Sequence, residues 1–220
     1  MADAGVAGSY EAVQVRTGGV ARAIAEFRAR GYTGLNVTTP LKEEAFACAQ
    51  THDAAARASG AVNTLLLGER VAGYNTDGIG SLGALGEAGL AELAQARVLV
   101  LGTGPTARAV LFALISAGAL VTVWSRTSQR VISIARTFAI EPWRQGLRID
   151  AVVAALPPDV RFSDAALRDA LHAVPIVIDA NYGARATLAS HLERDDVHDG
   201  KAMLRAGARA SFALFCGATR

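Results

Sequence analysis

The chain has 220 residues, 51% of them apolar and 19% charged, with a formal net charge of +2. That length holds one large domain or two small ones, and the near-balanced charge excludes an electrostatic case for a nucleic-acid or membrane-surface partner. The first residues lack the basic-then-apolar pattern of a signal peptide, and no run reaches the roughly 18 apolar residues of a membrane span; a cytoplasmic protein is expected.

Cys48 and Cys216 are the only cysteines. Two thiols so far apart make neither a disulfide framework nor a metal site, and both are expected to be reduced and packed. The four histidines are scattered without metal-ligand spacing.

The alternation at 10–15 reads as a strand, and the apolar spacing at 20–30 as a helix stopped by Gly31. A short strand follows at 34–37. Pro40 suits the first turn of a helix running to about 50. This strand–helix alternation favours a parallel sheet. Residues 61–67 and 70–73 read as a β-pair across Gly68-Glu69. Thr76-Asp77 can cap a helix to about 93, whose glycines would loosen it. Strands are expected at 97–101, 120–124, 150–154 and 175–179. Helices are expected at 105–117, 127–138 and 201–215. The fold class is α/β with two lobes, a cleft lobe of 1–76 and a Rossmann-like nucleotide lobe of 77–200.

Gly102-Thr103-Gly104-Pro105-Thr106-Ala107 directly follows an apolar strand and opens a helix. A dinucleotide turn requires that context. The first glycine makes the turn, the second lets backbone approach a pyrophosphate, and Ala107 lets helix and strand pack closely. Helix amides and the dipole receive the phosphates. After the next strand an NAD site carries an acidic residue. This chain reads Trp124-Ser125-Arg126-Thr127-Ser128-Gln129-Arg130. Arg126 and Arg130 can bond a 2′-phosphate, with Ser125 and Thr127 as neutral donors. NADP is the expected cofactor.

Three polar runs precede this turn: Asn36-Val-Thr-Thr-Pro-Leu-Lys42, Gly60-Ala-Val-Asn-Thr64 and Gly73-Tyr-Asn-Thr-Asp-Gly78. In isolation Lys42 reads as a solvated lysine and Asp77 as an ordinary cap. Together the runs offer amides, hydroxyls and one acid–base pair, a set suited to redox chemistry at the hydroxyl of a polyol.

These runs, with the Gly102 turn and Ser125-Arg-Thr127, resemble the shikimate dehydrogenase family in order and spacing across most of 10–130. The resemblance implies reversible NADPH-linked reduction of 3-dehydroshikimate. It implies Lys42 and Asp77 as the catalytic pair, and Asn36, Thr38, Asn63 and Tyr182 at the substrate. Ala180 and Gly200 then line the nicotinamide pocket by their backbones. The resemblance alone also implies that 201–220 returns to the first lobe, so that 1–76 with 201–220 is the substrate-binding lobe. A small-molecule substrate and a monomer or homodimer are expected.

Three departures accompany the resemblance. A Ser-x-Ser-Pro run that binds the substrate carboxylate is not matched, as though the chain began after it. Gly207 stands where the family has a substrate-contacting glutamine. The polar loop after the 150–154 strand reads Ala154-Ala-Leu-Pro-Pro158. They leave two alternatives open: a dinucleotide-binding homologue without turnover, and a quinate- or shikimate-type dehydrogenase acting on a related ring acid.

Overall fold

The computed structural model describes residues 8–217. It begins with α1 (Val20–Ala29), β1 (Gly34–Asn36), α2 (Lys42–Cys48), β2 (Thr51–His52), α3 (Ala54–Ser59), β3 (Thr64–Leu67) and β4 (Val71–Tyr74). The four strands form one sheet in the order β1-β3-β4-β2. The β1–β3 and β3–β4 pairs are antiparallel and only β2–β4 is parallel. The parallel sheet expected here is therefore not formed. The three-residue connection at 68–70 is far too short for a parallel crossover, so β3 and β4 must pair as a hairpin.

Residues 10–15 form no strand. Alternation sets a face but supplies no ladder partner, and among the described residues β1 pairs only with β3. Side chains tether the segment instead: Tyr10 donates to Asn36, and Glu11 accepts from Arg30 and Tyr32. Pro40 lies in the turn before α2, whose first residue is Lys42. The Thr39–Pro40 peptide is cis, and Leu41 N–H bonds Thr38 O to close the turn.

The chain continues through α4 (Asp77–Glu87), β5 (Arg97–Leu101), α5 (Pro105–Ser116), β6 (Leu120–Trp124), α6 (Ser128–Phe138), β7 (Glu141–Pro142) and β8 (Ala151–Ala154). It then forms α7 (Ala165–Ala173), β9 (Ile176–Asp179), α8 (Leu188–Leu192) and α9 (Lys201–Phe215). The second sheet is all parallel, in the order β7-β6-β5-β8-β9. The chain winds outward from β5 to β7, then returns to the other side of β5. That reversal puts a crevice at the carboxyl ends of β5 and β8, the place where open parallel sheets bind ligands.

Both faces of the second sheet are covered. Val98 and Val100 of β5 face α5 and α6, with Val110, Leu111, Leu114 and Ile134. Leu99 and Leu101 face α7, with Leu167 and Leu171. Burial on both sides is why these strands are continuously apolar. Each fully buried leucine contributes about 1.5–3 kcal/mol. Trp124 and Trp143 pack, partly buried, against the Leu99 face. The first sheet packs on Ile24, Phe27, Ala45 and Ala56 of its three helices.

Two helices join the sheets. α4 ends at Glu87, short of the expected 93, because Gly89 adopts φ +101 and terminates it. Its glycines serve close packing. A Cβ on Gly78 would stand 2.6 Å from Ala109 O of α5, and one on Gly80 would stand 2.6 Å from Met203 O of α9. α9 spans both sheets. Met203 belongs to the core of the second, while Phe215 fills the space beside Gly34 of β1. Cys48 is half-buried as expected, but Cys216 is exposed, because it caps the end of α9 beyond the packed turns.

Candidate active site

Lys42 is the first residue of α2 and Asp77 the first of α4. Lys42 Nζ donates to Asp77 Oδ2 at 2.6 Å, and both side chains retain 12% accessibility. That figure separates the pair from an ordinary surface bridge, which solvent would screen to little effect. It also leaves the ammonium within reach of a ligand.

Asp77 does not cap its helix. The cap position is Thr76, which makes no side-chain capping bond. The Asp77 carboxylate instead collects three donors. Oδ1 accepts from Asn63 Nδ2 at 2.8 Å, and Oδ2 accepts from Lys42 and from Thr106 Oγ1 at 3.0 Å. Lys42 Nζ also approaches Thr106 Oγ1 at 3.4 Å. An ammonium has three donors, so one remains for a ligand among the described contacts.

Asn63 is held on every side. Its Oδ1 accepts Thr76 N–H at 2.9 Å and Thr64 Oγ1 at 3.0 Å, and its Nδ2 also reaches Thr76 Oγ1 at 3.1 Å. Ser211 of α9 completes this buried set, 2.7 Å from Thr64 Oγ1 and 3.2 Å from Thr76 Oγ1. Asn36 is exposed beside it, donating to Thr64 Oγ1 at 3.2 Å and accepting from Tyr10 at 3.1 Å. Thr38 is exposed in the turn before α2. Tyr182, 49% exposed, sits in the loop after β9 and makes no hydrogen bond to this cluster. A Cβ on Gly207 would meet Thr76 O at 3.4 Å, so that position borders the same network but offers it no polar atom.

The glycine turn lies directly beside the pair. Gly102 has φ +121, and a Cβ there would stand 2.5 Å from Ala155 O; a side chain is excluded by conformation and by space. Gly104 is the cap position of α5, Pro105 its first residue, and Ala107 is fully buried. Gly104 has nothing within 4 Å of its Cβ position, so backbone there is open to a ligand. This cradle suits a dinucleotide pyrophosphate. Thr103 is half-buried in the turn, and its carbonyl accepts from Arg108 at 3.5 Å.

Gly102 N–H bonds Trp124 O at 2.8 Å, which brings Ser125 alongside the turn. Arg126, Thr127 and Arg130 follow it, all exposed, and neither arginine enters an ion pair among the described residues. Ala180 and Gly200 are adjacent: a Cβ on Gly200 would collide with Ala180 O. Ala180 N–H in turn bonds Ala154 O at 2.8 Å, so this backbone lines the carboxyl ends of β8 and β9. Among the described residues no group of three His, Cys, Asp or Glu side chains could hold a metal ion. No described helix is long and apolar enough to cross a membrane.

Sequence reasoning passed over Arg108. Its Nη2 pairs with Glu43 at 2.7 Å, and its Nε bonds Ser59 O at the end of α3. Arg108 is thus a strap from α5 to the first sheet's helices. Its place one turn into α5 after the glycine motif was the available signal. Ser211 carried none, being a hydroxyl whose partner Thr64 lies 147 residues away, and Thr76 was legible only as a cap candidate.

Known proteins are similar to this chain in sequence and in fold. Residues 1–65 match the model of the shikimate dehydrogenase substrate binding domain. The shikimate dehydrogenase (NADP(+)) of Methanosarcina acetivorans is 43% identical over 133 residues, which are 59% of this chain and 47% of that protein. The match to several such relatives thus spans about half of their length. The shikimate dehydrogenase (NADP(+)) of Methanothrix thermoacetophila is 34% identical over 223 residues, covering 97% of this chain and 82% of the relative. The crystal structure of shikimate 5-dehydrogenase from Thermus thermophilus in complex with NADP(H) and shikimate superposes with a TM-score of 0.83. Its identity is 32%, over 98% of this chain and 85% of that one.

Proposed function

The chain belongs to the shikimate dehydrogenase family, and from that premise we propose that it catalyses the NADP-dependent, reversible reduction of 3-dehydroshikimate to shikimate. The observation that carries the reading is the Lys42–Asp77 pair at 2.6 Å, joined through Thr106 to the glycine turn. The proposed division is a substrate lobe of 1–76 with 201–220 and a nucleotide lobe of 77–200, with α9 shared in packing.

Reduction leaves negative charge growing on the ketone oxygen. Lys42 stabilises that charge with its remaining N–H and delivers the proton that makes the hydroxyl. In the reverse direction it receives that proton. Asp77 holds the ammonium in place and offers carboxylate oxygens to a neighbouring ring hydroxyl. Asn63 orients Asp77 from the other side, and Asn36, Thr38 and Tyr182 complete the polar rim for the ring substituents. A site built from such groups rejects molecules lacking the matching hydroxyls, because its own polar atoms would be left unpaired.

NADPH, when bound, supplies the hydride. The residues proposed to hold it are Gly102, Thr103, Gly104, Pro105, Thr106 and Ala107 at the pyrophosphate. Ser125, Arg126, Thr127 and Arg130 would hold the 2′-phosphate, with Ala180 and Gly200 at the nicotinamide.

The test is shikimate-dependent reduction of NADP by the purified chain. The proposal expects turnover with shikimate and NADP, and little with NAD. NADPH binding without turnover at any shikimate concentration would replace it with a purely dinucleotide-binding role. The match of Gly207 to a family glutamine is the observation that favours this second reading.

A further inference from the structure

Thr106 stands within the phosphate turn, yet its side chain serves the other half of the site. It is the second residue of α5, following the cap Gly104 and Pro105, so its amide belongs to the free N–H groups that a helix start presents to an anion. Its hydroxyl points elsewhere. Thr106 Oγ1 is 3.0 Å from Asp77 Oδ2 and 3.4 Å from Lys42 Nζ, while Lys42 Nζ is 2.6 Å from that same carboxylate oxygen.

The donor inventory fixes the roles. A hydroxyl has one proton and two lone pairs, and an ammonium only donates. The Thr106 proton must therefore go to Asp77, and a lone pair faces Lys42. The three groups close a ring in which every bond has a proper donor. Two of the three ammonium protons are then held by protein acceptors, and the rotation of Nζ is fixed. Without the hydroxyl, Lys42 would keep one partner and could turn about it.

We propose that Thr106 is a positioning residue for the reaction, its hydroxyl fixing the orientation of Lys42 and Asp77 while its amide serves the cofactor phosphates. The inference rests on the dehydrogenase reading above. It adds a second consequence: the residue that meets the cofactor and the residues that move the proton are joined by one side chain. Its backbone contribution to binding is separable from its side-chain contribution to catalysis.

The experiment compares wild type with Thr106→Val, which keeps the shape and removes the hydroxyl, and Thr106→Ser, which restores it. Three quantities are read: kcat and KM for shikimate oxidation, NADPH affinity by fluorescence, and the Lys42 side-chain signals in lysine-labelled protein by NMR. The sequence holds only two lysines, Lys42 and Lys201, so Lys201→Arg assigns them. The expected result for Thr106→Val is a fall in kcat of about tenfold, with NADPH affinity within about twofold because the amide is untouched. The Lys42 ammonium signal, slow to exchange with solvent in wild type, should exchange faster in this variant. Thr106→Ser should return both kcat and the slow exchange. Unchanged kcat and signals in Thr106→Val, a loss confined to NADPH affinity, or failure of the serine to restore would each overturn the inference. Should wild type itself fail to oxidise shikimate, the dehydrogenase reading falls, and the Lys42 signals still decide whether the hydroxyl orders the pair.

Discussion

Lys42 and Asp77 are 35 residues apart, each opens a helix, and their side chains meet at 2.6 Å. The two helix starts are not equivalent. A carboxylate at the first residue of α4 is favoured by the helix dipole, whereas an ammonium at the first residue of α2 is opposed by it. Asp77 offsets that penalty, and Glu43 and Glu44 follow Lys42 in the same first turn. The carboxylate therefore both orients the ammonium and makes its placement tolerable.

Asp77→Asn should expose this dependence. The amide keeps the shape and one acceptor but loses the charge. Catalysis should fall about 100-fold or more, with the thermal midpoint of the apoprotein changed by a few degrees at most, about 1 kcal/mol. Steady-state rates and a melting curve on the same preparation check it. A variant with wild-type kcat would show that Asp77 is only a structural partner of Asn63.

Cofactor choice should follow the residues after β6. Arg126 is exposed beside the glycine turn without an ion pair among the described residues. Arg126→Asp removes one charge-assisted bond worth about 1.5–3 kcal/mol, which corresponds to roughly 10- to 100-fold in affinity. The loss should fall on NADP and spare NAD. Titrating both by fluorescence decides it, since an equal loss for both would place the arginine away from the 2′-phosphate.

Backbone crowding at Gly200 gives a stability prediction. A Cβ there would collide with Ala180 O and stand 3.0 Å from Asn181 O, all rigid main chain. Gly200→Ala should cost about 1–3 kcal/mol and disturb the backbone proposed to face the nicotinamide. Urea unfolding is the measurement. A midpoint equal to wild type would mean the loop yields freely.

What could be read from the sequence divides along range. The Gly102 turn was legible because strand, turn and helix are contiguous and each glycine has a local reason. Four of the second sheet's five strands were legible because burial makes them largely apolar; β7, two exposed residues at Glu141–Pro142, was missed. The β2 and α3 segments, Thr51–His52 and Ala54–Ser59, were missed: two residues cannot show alternation, and an alanine-rich six-residue helix has no distinct apolar face. Residues 10–15 misled because alternation says nothing of a partner strand. The meeting of Lys42 with Asp77 came from resemblance alone. No spacing rule brings together residues that open two separate helices 35 positions apart, and the side chains of Thr106 and Arg108 were hidden for the same reason.

Acid sensitivity should trace in part to Asp150. Its carboxylate accepts Arg97 N–H at 2.8 Å, and Arg148 Nε lies 3.2 Å away. The backbone donor, aided by the nearby guanidinium groups, holds the Asp150 carboxyl below the ordinary carboxylate range despite some desolvation. Its stabilising contribution is therefore present above the unfolded value of about 4 and is lost as pH falls through the lower folded value. Asp150→Ala should cost about 0.5–1 kcal/mol at neutral pH, limited by solvent screening. That difference should shrink in strong acid. Urea unfolding of both proteins across the acid range checks it, and a constant difference at all pH values would contradict the assignment.

The role of the ammonium is tested most directly on Lys42→Ala, by its rate of NADPH formation from shikimate read beside its affinity for NADPH. The expected result is a wild-type chain that turns over and a variant whose rate drops by at least about 100-fold while NADPH still binds as tightly as before. A variant that retains the wild-type rate would remove the ammonium from the chemistry and contradict the proposed mechanism.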